Sequence, residues 1–403
     1  MADSLRARVE ALAGMDVLLP ALDGLDPSYL VGGAVRDLLL GARAVDLDLA
    51  VEGDAPAVAR TVADRLGGEA VVHDRFGTAS VRAGELSVDL ASTRRETYER
   101  PGALPTVEPA GLDEDLSRRD FTVNAVAIAL TGEGAGELRD PHGGAADLVS
   151  GTIRVLHERS FLDDPTRILR AVRYEARLGF AIDPTTERLA HEAMAAGALD
   201  TVSGARVRDE LMDLLGEEEA PSAVERLGRL EIGTALDPAV RPDGELVASV
   251  RVASTETGAD PALSALAALC SDGATDLVER LALPAGQRDR VVRAAQGARA
   301  LAAALASPLR PSELHDLLVA EPPEALALAL AFGAPGEPVL SFVSGLRDTR
   351  LEIGGDDLLA AGVPESPAIG EALGETLRRK LDGEVAGREE ELRTAVELAR
   401  GER

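Results

Sequence analysis

Two acids stand two residues apart in Val45-Asp46-Leu-Asp48-Leu-Ala-Val51, an alternation that predicts a strand with both carboxylates on one face and Leu47 and Leu49 toward the core. Like charges held side by side are costly unless a cation or a shared proton relieves them. Hard oxygen ligands at this spacing suit Mg²⁺, which also binds substrate phosphates. Taken alone, the pair also fits an exposed edge strand with two solvated acids. A third acid, Asp89, alternates with Val88 and Leu90 and would join the pair if the two strands are neighbours. Three carboxylates around two metals is the arrangement that in-line phosphoryl transfer uses.

Three further segments supply cations. Tyr29-Leu-Val-Gly32-Gly33-Ala-Val-Arg36 reads as a strand entering a helix through two glycines, a turn that lets backbone N–H groups approach a phosphate, with Arg36 one turn on. The other reading is an ordinary strand-turn-helix whose glycines serve packing. Arg118-Arg119-Asp120 is either a capped helix start or a place where Arg119 clamps a triphosphate through its planar fork. In Asp163-Asp164-Pro-Thr-Arg167, Asp and Pro open a helix on which Asp164, Arg167, Arg170, Arg173 and Arg177 share one half, opposite Ile168, Leu169 and Val172. Four arginines on one face repel each other unless an anion joins them. Asp164 beside Arg167 pairs an acceptor with a donor fork, a combination able to read the edge of a cytosine or an adenine.

The elements that must position these groups change character along the chain. Up to about residue 155, β-rich runs (29–31, 46–51, 69–72, 78–81, 86–91) alternate with glycine turns and helical stretches, an α+β pattern. From Phe161 onward, Ala, Leu, Glu and Arg recur at helical spacing, interrupted by prolines. With 403 residues and 45% hydrophobic content, the chain can bury a substantial core. Apolar stretches such as Ala325 to Phe332 fall short of the roughly 20 residues of a membrane span. The acidic first segment is unlike a secretory signal, so a cytoplasmic protein is expected. Cys270 is the single cysteine, which excludes an intramolecular disulfide and a thiolate zinc cluster. The net charge of -28 argues, by itself, against a nucleic acid partner. A phosphate-binding face therefore requires Arg36, Arg94, Arg95, Arg118, Arg119 and the Arg167 to Arg177 ladder to gather on one concave surface. His315-Asp316 is the one His-Asp dipeptide of the helical half and reads as helix surface.

In this order the strings LVGGAVRDLLLG, DLDLA, VDLASTRRETY, LDEDLSRRDFTVNA, DPHGGAADLVSGTIRVL, DDPTRILRAVRYEARLGF and SGARVRDELMDLL resemble the class II tRNA nucleotidyltransferase and bacterial poly(A) polymerase family. The resemblance implies a polymerase-beta-like nucleotidyltransferase head with a mixed sheet (1–155), a helical neck with a nucleobase-reading helix (156–215), and an all-α body and tail for RNA binding (216–403). It implies Mg²⁺ on Asp46 and Asp48, with Asp89 as the third catalytic carboxylate. Gly33, Arg36 and Arg119 would hold the triphosphate. Asp164 and Arg167 would pair with the base of CTP or ATP, with Arg170 and Arg173 lining the same pocket. The implied activity is template-independent addition of CCA, or part of it, to the 3′ end of tRNA. The alternatives are a poly(A) polymerase and a catalytically silent RNA-binding protein of the same fold. No basic C-terminal extension of the poly(A) polymerase kind is visible, which favours tRNA. Thr93 to Ser117 is long enough to be the flexible loop that the family links to addition of the final A, which leans away from a CC-only enzyme. Pro364-Glu-Ser-Pro367 departs from the family's usual tail.

Overall fold

The computed structural model describes residues 2–42, 46–73, 77–132, 134–271, 273 and 275–401. Val45, the first residue of the predicted acid-bearing strand, lies outside them. The chain divides into two compact units, Met1–Glu210 and Leu211–Arg403.

The first unit opens with α1 (Ala2–Glu10) and α2 (Met15–Leu22), followed by β1 (Ser28–Val31), α3 (Gly33–Leu40), β2 (Leu47–Val51) and α4 (Ala55–Leu66). Three strands come next, β3 (Glu69–His73), β4 (Thr78–Ala83) and β5 (Leu86–Ser92). A separate hairpin, β6 (Arg94–Thr97) with β7 (Thr106–Pro109), leads into α5 (Leu112–Ser117). Thr93 to Ser117, expected as a flexible loop, thus carries a hairpin and a helix. Then follow β8 (Ala127–Ala129), β9 (Leu138–Arg139), α6 (Gly144–Ser150), β10 (Thr152–Ile153), α7 (Ser160–Asp163), α8 (Arg167–Leu178), β11 (Ala181–Ile182), α9 (Pro184–Ala195) and α10 (Gly204–Gly216).

Local chemistry sets these limits. The Asp54 carboxylate accepts the Ala57 N–H at the start of α4, and Gly67, at φ 63°, ends it. The Asp183 carboxylate caps α9 on Thr185 and Thr186 beside Pro184. Each such cap stabilises its helix by about 1 kcal/mol.

Seven strands form one mixed sheet in the order β3-β4-β5-β2-β1-β8-β9, parallel between β2 and β5 and antiparallel elsewhere. Its two faces are unlike. One carries Leu47, Leu49, Val51, Ala79, Val81, Val88 and Leu90, which join residues of α1, α2, α3 and α4 in the main core. On the other, Val31, Ala50 and Ala127 pack beneath Leu112 and Leu116 of α5. That second core covers one part of the face, and Asp48 and Asp89 remain exposed beside it.

The second unit is helical, with twelve α-helices among the described residues, from α11 (Ala220–Arg229) to α22 (Arg388–Arg400). Its helices pack through small aliphatic residues: Leu263 to Leu269 and Ala325 to Ala329 are buried without a break. His315, read from the sequence as helix surface, is buried and meets the Phe342 ring edge-on at 6.2 Å. It shares the inward side of Pro311–Leu318 with Leu314 and Leu318. No described helix is long and apolar enough to cross a membrane.

Candidate active site

The turn after β1 is the first piece. Gly32 has φ 66° and ψ −130°, a conformation that favours glycine, and a Cβ there would lie 2.9 Å from Arg119 Nη1. Gly33 begins α3 and has no such constraint: a Cβ would meet Arg36 Nη2 at 3.5 Å. Arg36 is buried, donating to Asp37 Oδ1 (2.8 Å) and Asn124 Oδ1 (2.8 Å). Its guanidinium lies 5.3 Å from the centre of the Tyr174 ring.

The carboxylates are the second piece. In the parallel β2–β5 pair, Asp48 is the register partner of Asp89, and Asp89 is in turn the partner of Ser80 on β4. The Ser80 hydroxyl donates to Asp89 Oδ1. Asp46 precedes β2 by one residue and is exposed. Asp48 is exposed by surface area but stands in the walls of two adjoining cavities, and the lost hydration there raises its carboxyl above the usual range; the charges of Asp89 and Asp46 push the same way, and Arg119 offsets part of this. Gathered negative charge that the protein relieves incompletely is the electrostatic signature of a cation site. Among the described residues no three His, Cys, Asp or Glu side chains form a closed metal cage. The donor set fits an Mg²⁺ ion that takes one or two carboxylates from the protein and the rest of its shell from water and substrate phosphates.

The basic segment is organised by an acid that sequence reasoning passed over. Asp115, buried in α5, accepts from Arg118 Nη2 (2.8 Å) through Oδ1 and from Arg119 Nη2 (3.2 Å) through Oδ2. The i+3 and i+4 spacing of these pairs was there to be read. Glu96 on β6 accepts from Arg118 Nη1 (3.1 Å) and from the Tyr98 hydroxyl (3.0 Å). Burial, and then Glu96, push the Tyr98 hydroxyl up to about 12. Asp120 does not begin a helix. It is buried and accepts from Asn124 Nδ2 (3.0 Å) and from Arg170 Nε (2.9 Å) and Nη2 (2.6 Å). Burial opposes its charge, but the Arg170 guanidinium and these hydrogen bonds prevail and hold the carboxyl below its usual range.

Asp164 is not on the arginine helix. α7 ends at Asp163, Asp164 follows in extended conformation, and α8 begins at Arg167. Pro165 separates the two because the residue before a proline is disfavoured in helical geometry. Asp164 Oδ1 accepts from Thr166 Oγ1 (2.7 Å) and forms an ion pair with Arg206 Nη2 (2.8 Å). Arg167 is buried, donating to Ser160 Oγ and the Arg118 carbonyl, both at 2.7 Å.

The arginines of α8 do not wait for a foreign anion. Arg170 pairs with Asp120 and, at 2.9 Å, with Glu210 Oε1 of α10; Arg173 pairs with Glu210 Oε2 at 3.1 Å. The neutralising acids lie outside α8, at Asp120 and at Glu210 of α10, so the spacing along α8 alone does not show them. Tyr174 lies at the centre, with Arg170 and Arg173 5.5 and 5.4 Å from its ring and Phe121 edge-on at 5.8 Å.

One cavity of about 690 Å³ collects most of these groups: Gly33, Arg36, Asp46, Asp48, Arg119, Asp164, Arg167 and Arg170 all line it. Asp89 lines an adjoining cavity of about 340 Å³ that shares Asp48, Arg118 and Arg119. Arg173 lies behind the lining, a support for Tyr174 and Glu210. The concave gathering of cations holds for Arg36, Arg118, Arg119, Arg167, Arg170 and Arg177. It fails for Arg94, which pairs with Glu96, and for Arg95, which pairs with Glu108 across the hairpin. The lining is mixed in sign, seven arginines with eight carboxylates. A basic clamp and an acidic patch thus face one space, as a metal-bound polyphosphate requires.

Residues 28–154 match the Poly A polymerase head domain family. The chain is 35% identical over 370 residues to the CC-adding tRNA nucleotidyltransferase of Deinococcus radiodurans, covering 91% of this chain and 88% of that protein. It is 39% identical over 397 residues to the A-adding tRNA nucleotidyltransferase of Geobacter sulfurreducens, covering 93% of this chain but 45% of the relative. Of the A-adding relatives from Aquifex aeolicus and Halalkalibacterium halodurans it spans 23% and 49%, so it covers less than half the length of these three curated relatives. Among solved structures, the Thermotoga maritima CCA-adding enzyme complexed with tRNA matches with a TM-score of 0.77 and 31% identity over 98% of each chain.

Proposed function

This chain belongs to the class II tRNA nucleotidyltransferase family, and on that premise we propose that it adds nucleotides of the CCA end to the 3′ terminus of tRNA from CTP and ATP without a nucleic acid template. The observation that carries this reading is one cavity lined together by Asp46, Asp48, Asp164 and Arg167, with Arg36 and Arg119 also in it. The names of the relatives, A-adding and CC-adding, agree with it, as do the complexes of CCA-adding enzymes with tRNA, ATP and CTP.

Enzymes of this kind generally use divalent metals; we assign Mg²⁺ to Asp46 and Asp48. When bound, the ion supplies positive charge to the triphosphate and polarises the reacting oxygens. The protein's own groups do the rest. Gly33, Arg36 and Arg119 hold the phosphates. The acceptor's 3′-oxygen forms a bond to the α-phosphorus, the bond to the β-phosphate's bridging oxygen breaks, and pyrophosphate leaves. Asp89 Oδ2, the oxygen opposite the one bonded to Ser80, takes the hydroxyl proton.

Base choice follows from hydrogen-bond polarity. Cytosine and adenine each present an exocyclic amine beside a ring nitrogen acceptor; uracil and guanine present the reverse. Asp164 accepts the amine and Arg167 donates to the ring nitrogen, which selects C and A as a pair. Arg170 lines the same space, and Arg173 supports it through Glu210. We retain a catalytic head (1–155), a base-reading neck (156–215) and an RNA-binding body and tail (216–403), acting in the cytoplasm. The test is incorporation of labelled CTP and ATP into two tRNA transcripts, one lacking CCA and one ending in CC: the wild type should extend at least one of them and Asp48→Ala neither.

A further inference from the structure

Asp48, Ala50 and, just past the end of β2, Glu52 alternate along one side of the chain. Helix α5 lies over this side, with Leu112 and Leu116 packed with Ala50 in the second core. Its start is fastened to Glu52, whose Oε1 accepts the Leu112 N–H at 2.8 Å and whose Oε2 accepts the Tyr29 hydroxyl at 2.7 Å. Tyr29 stands on β1 as the register partner of Ala50, and its ring packs against the same core. Burial, and then the bond to Glu52, push the Tyr29 hydroxyl up to about 12, so it remains a donor at neutral pH. Tyr29, Glu52 and Leu112 line a cavity of about 350 Å³ that shares no lining residue with the two cavities of the active site.

One helical turn beyond Leu112, the buried Asp115 accepts from Arg119 Nη2 at 3.2 Å. Arg119 has little else to fix it: its Nε is buried without a hydrogen-bond partner among the described residues, and its Nη1 reaches the Asn124 carbonyl only at 3.5 Å. The pose of its fork therefore depends on where Asp115 stands. Asp115 in turn stands where α5 is anchored, because a helix of six residues is held by its tertiary contacts and not by its own hydrogen bonds. We propose that Glu52, oriented by Tyr29, is a positioning residue for nucleotide binding: it fixes the start of α5 so that Asp115 presents Arg119 to the triphosphate beside Asp48. Glu52 touches no substrate and acts from the opposite end of the helix. A second attachment, from Thr93 Oγ1 to the Ala110 carbonyl at 2.6 Å, enters the same helix and keeps it on the sheet when Glu52 is replaced, so that α5 shifts and is not released. This rests on the assignment of Arg119 to the triphosphate and adds to it what aims that side chain.

The test is equilibrium binding to the full chain, by titration calorimetry with Mg²⁺ present, of whichever of CTP and ATP the wild type binds more tightly. Arg119→Ala should raise Kd about tenfold or more. Glu52→Ala should raise it about fivefold or more, and Tyr29→Phe, which keeps the ring packing, about threefold or more. Glu52→Gln, whose amide oxygen still accepts the Leu112 N–H, should stay within about twofold of wild type. The double variant Glu52→Ala/Arg119→Ala separates positioning from a loosened fold. With Arg119 gone Glu52 has nothing left to aim, so the double variant should bind within about twofold of Arg119→Ala alone. A loosened fold would weaken binding by the same factor with or without Arg119. A Glu52→Ala Kd within about twofold of wild type, or a full additional loss in the double variant, overturns the positioning role. If Glu52→Ala does not fold, the same cycle run with Tyr29→Phe decides by the same two outcomes. Failure of the nucleotide reading looks different, because then the wild type binds neither triphosphate or Arg119→Ala binds as wild type does, and the positioning role falls with it.

Discussion

Asp48 on β2 and Asp89 on β5 are register partners across a parallel strand pair, two like charges side by side on the uncovered part of the sheet face. The Asp48 carboxyl, raised first by lost hydration and then by Asp89, is easier to protonate in the folded chain than in the unfolded one. A raised carboxylate pKa costs stability at every pH above it, and the cost vanishes below the unfolded value of about 3.9. In metal-free buffer at pH 8, Asp48→Asn should therefore melt above wild type, with the gap closing as pH falls below about 4. The same variant should lose nucleotide incorporation. Thermal melts across pH check the first half, and a lower Tm at pH 8 contradicts it.

The two glycines of the turn should separate. At Gly32 the backbone is in a glycine region and a Cβ would press on Arg119, so Gly32→Ala should cost about 1–3 kcal/mol in stability. Gly33 has ordinary helical backbone and van der Waals room. Gly33→Ala should leave stability within about 1 kcal/mol of wild type and raise the nucleotide KM through the lost approach to phosphate. Urea melts and initial rates on the two variants distinguish them.

Asp120 is buried, charged and bound to Arg170 and Asn124. Removing one partner of a buried pair costs about 3–5 kcal/mol, so Asp120→Asn should destabilise the chain by about that amount at pH 7. A depressed carboxylate pKa stabilises above the unfolded value and loses the contribution as pH falls through the folded one. The difference between wild type and Asp120→Asn should therefore shrink below about pH 4. A constant difference from pH 7 to pH 2.5 contradicts the ion pair.

Arg206 joins two parts of the site. It forms an ion pair with Asp164 Oδ1 at 2.8 Å and donates to the Gly102 carbonyl of the β6–β7 connection at 3.5 Å, where a Cβ on Gly102 would strike Thr201. With Arg206→Ala, Asp164 keeps Thr166 and loses its charged partner. The expected result is weaker discrimination: the preference for CTP and ATP over UTP and GTP, as kcat/KM, should fall about tenfold or more. Single-nucleotide extension assays with each of the four triphosphates measure it.

Much of this was legible in the chain because it is local. The strands bearing Asp48 and Asp89 alternate cleanly, and the glycine turn follows its own strand directly. What escaped was non-local or hidden by a short break. Glu210 lies 40 residues from Arg170 in sequence, and without it the α8 arginines looked in need of a foreign anion. Asp164 looked like part of the helix because Asp-Pro is a helix opener, yet before that proline it stands in extended conformation between α7 and α8. The two-residue strands β9, β10 and β11 carry too few residues to show any period. Asp115 was the readable miss, at helical spacing from both arginines it holds.

The most direct measurement is gel-resolved extension of three acceptors, a tRNA transcript lacking CCA, the same transcript ending in CC, and an unrelated RNA, with CTP and ATP supplied separately and together. The account predicts one to three added nucleotides on a tRNA acceptor, drawn from C and A and stopping at CCA, with the unrelated RNA left unextended. Long A tails on the unrelated RNA, or no extension of either transcript, would contradict it.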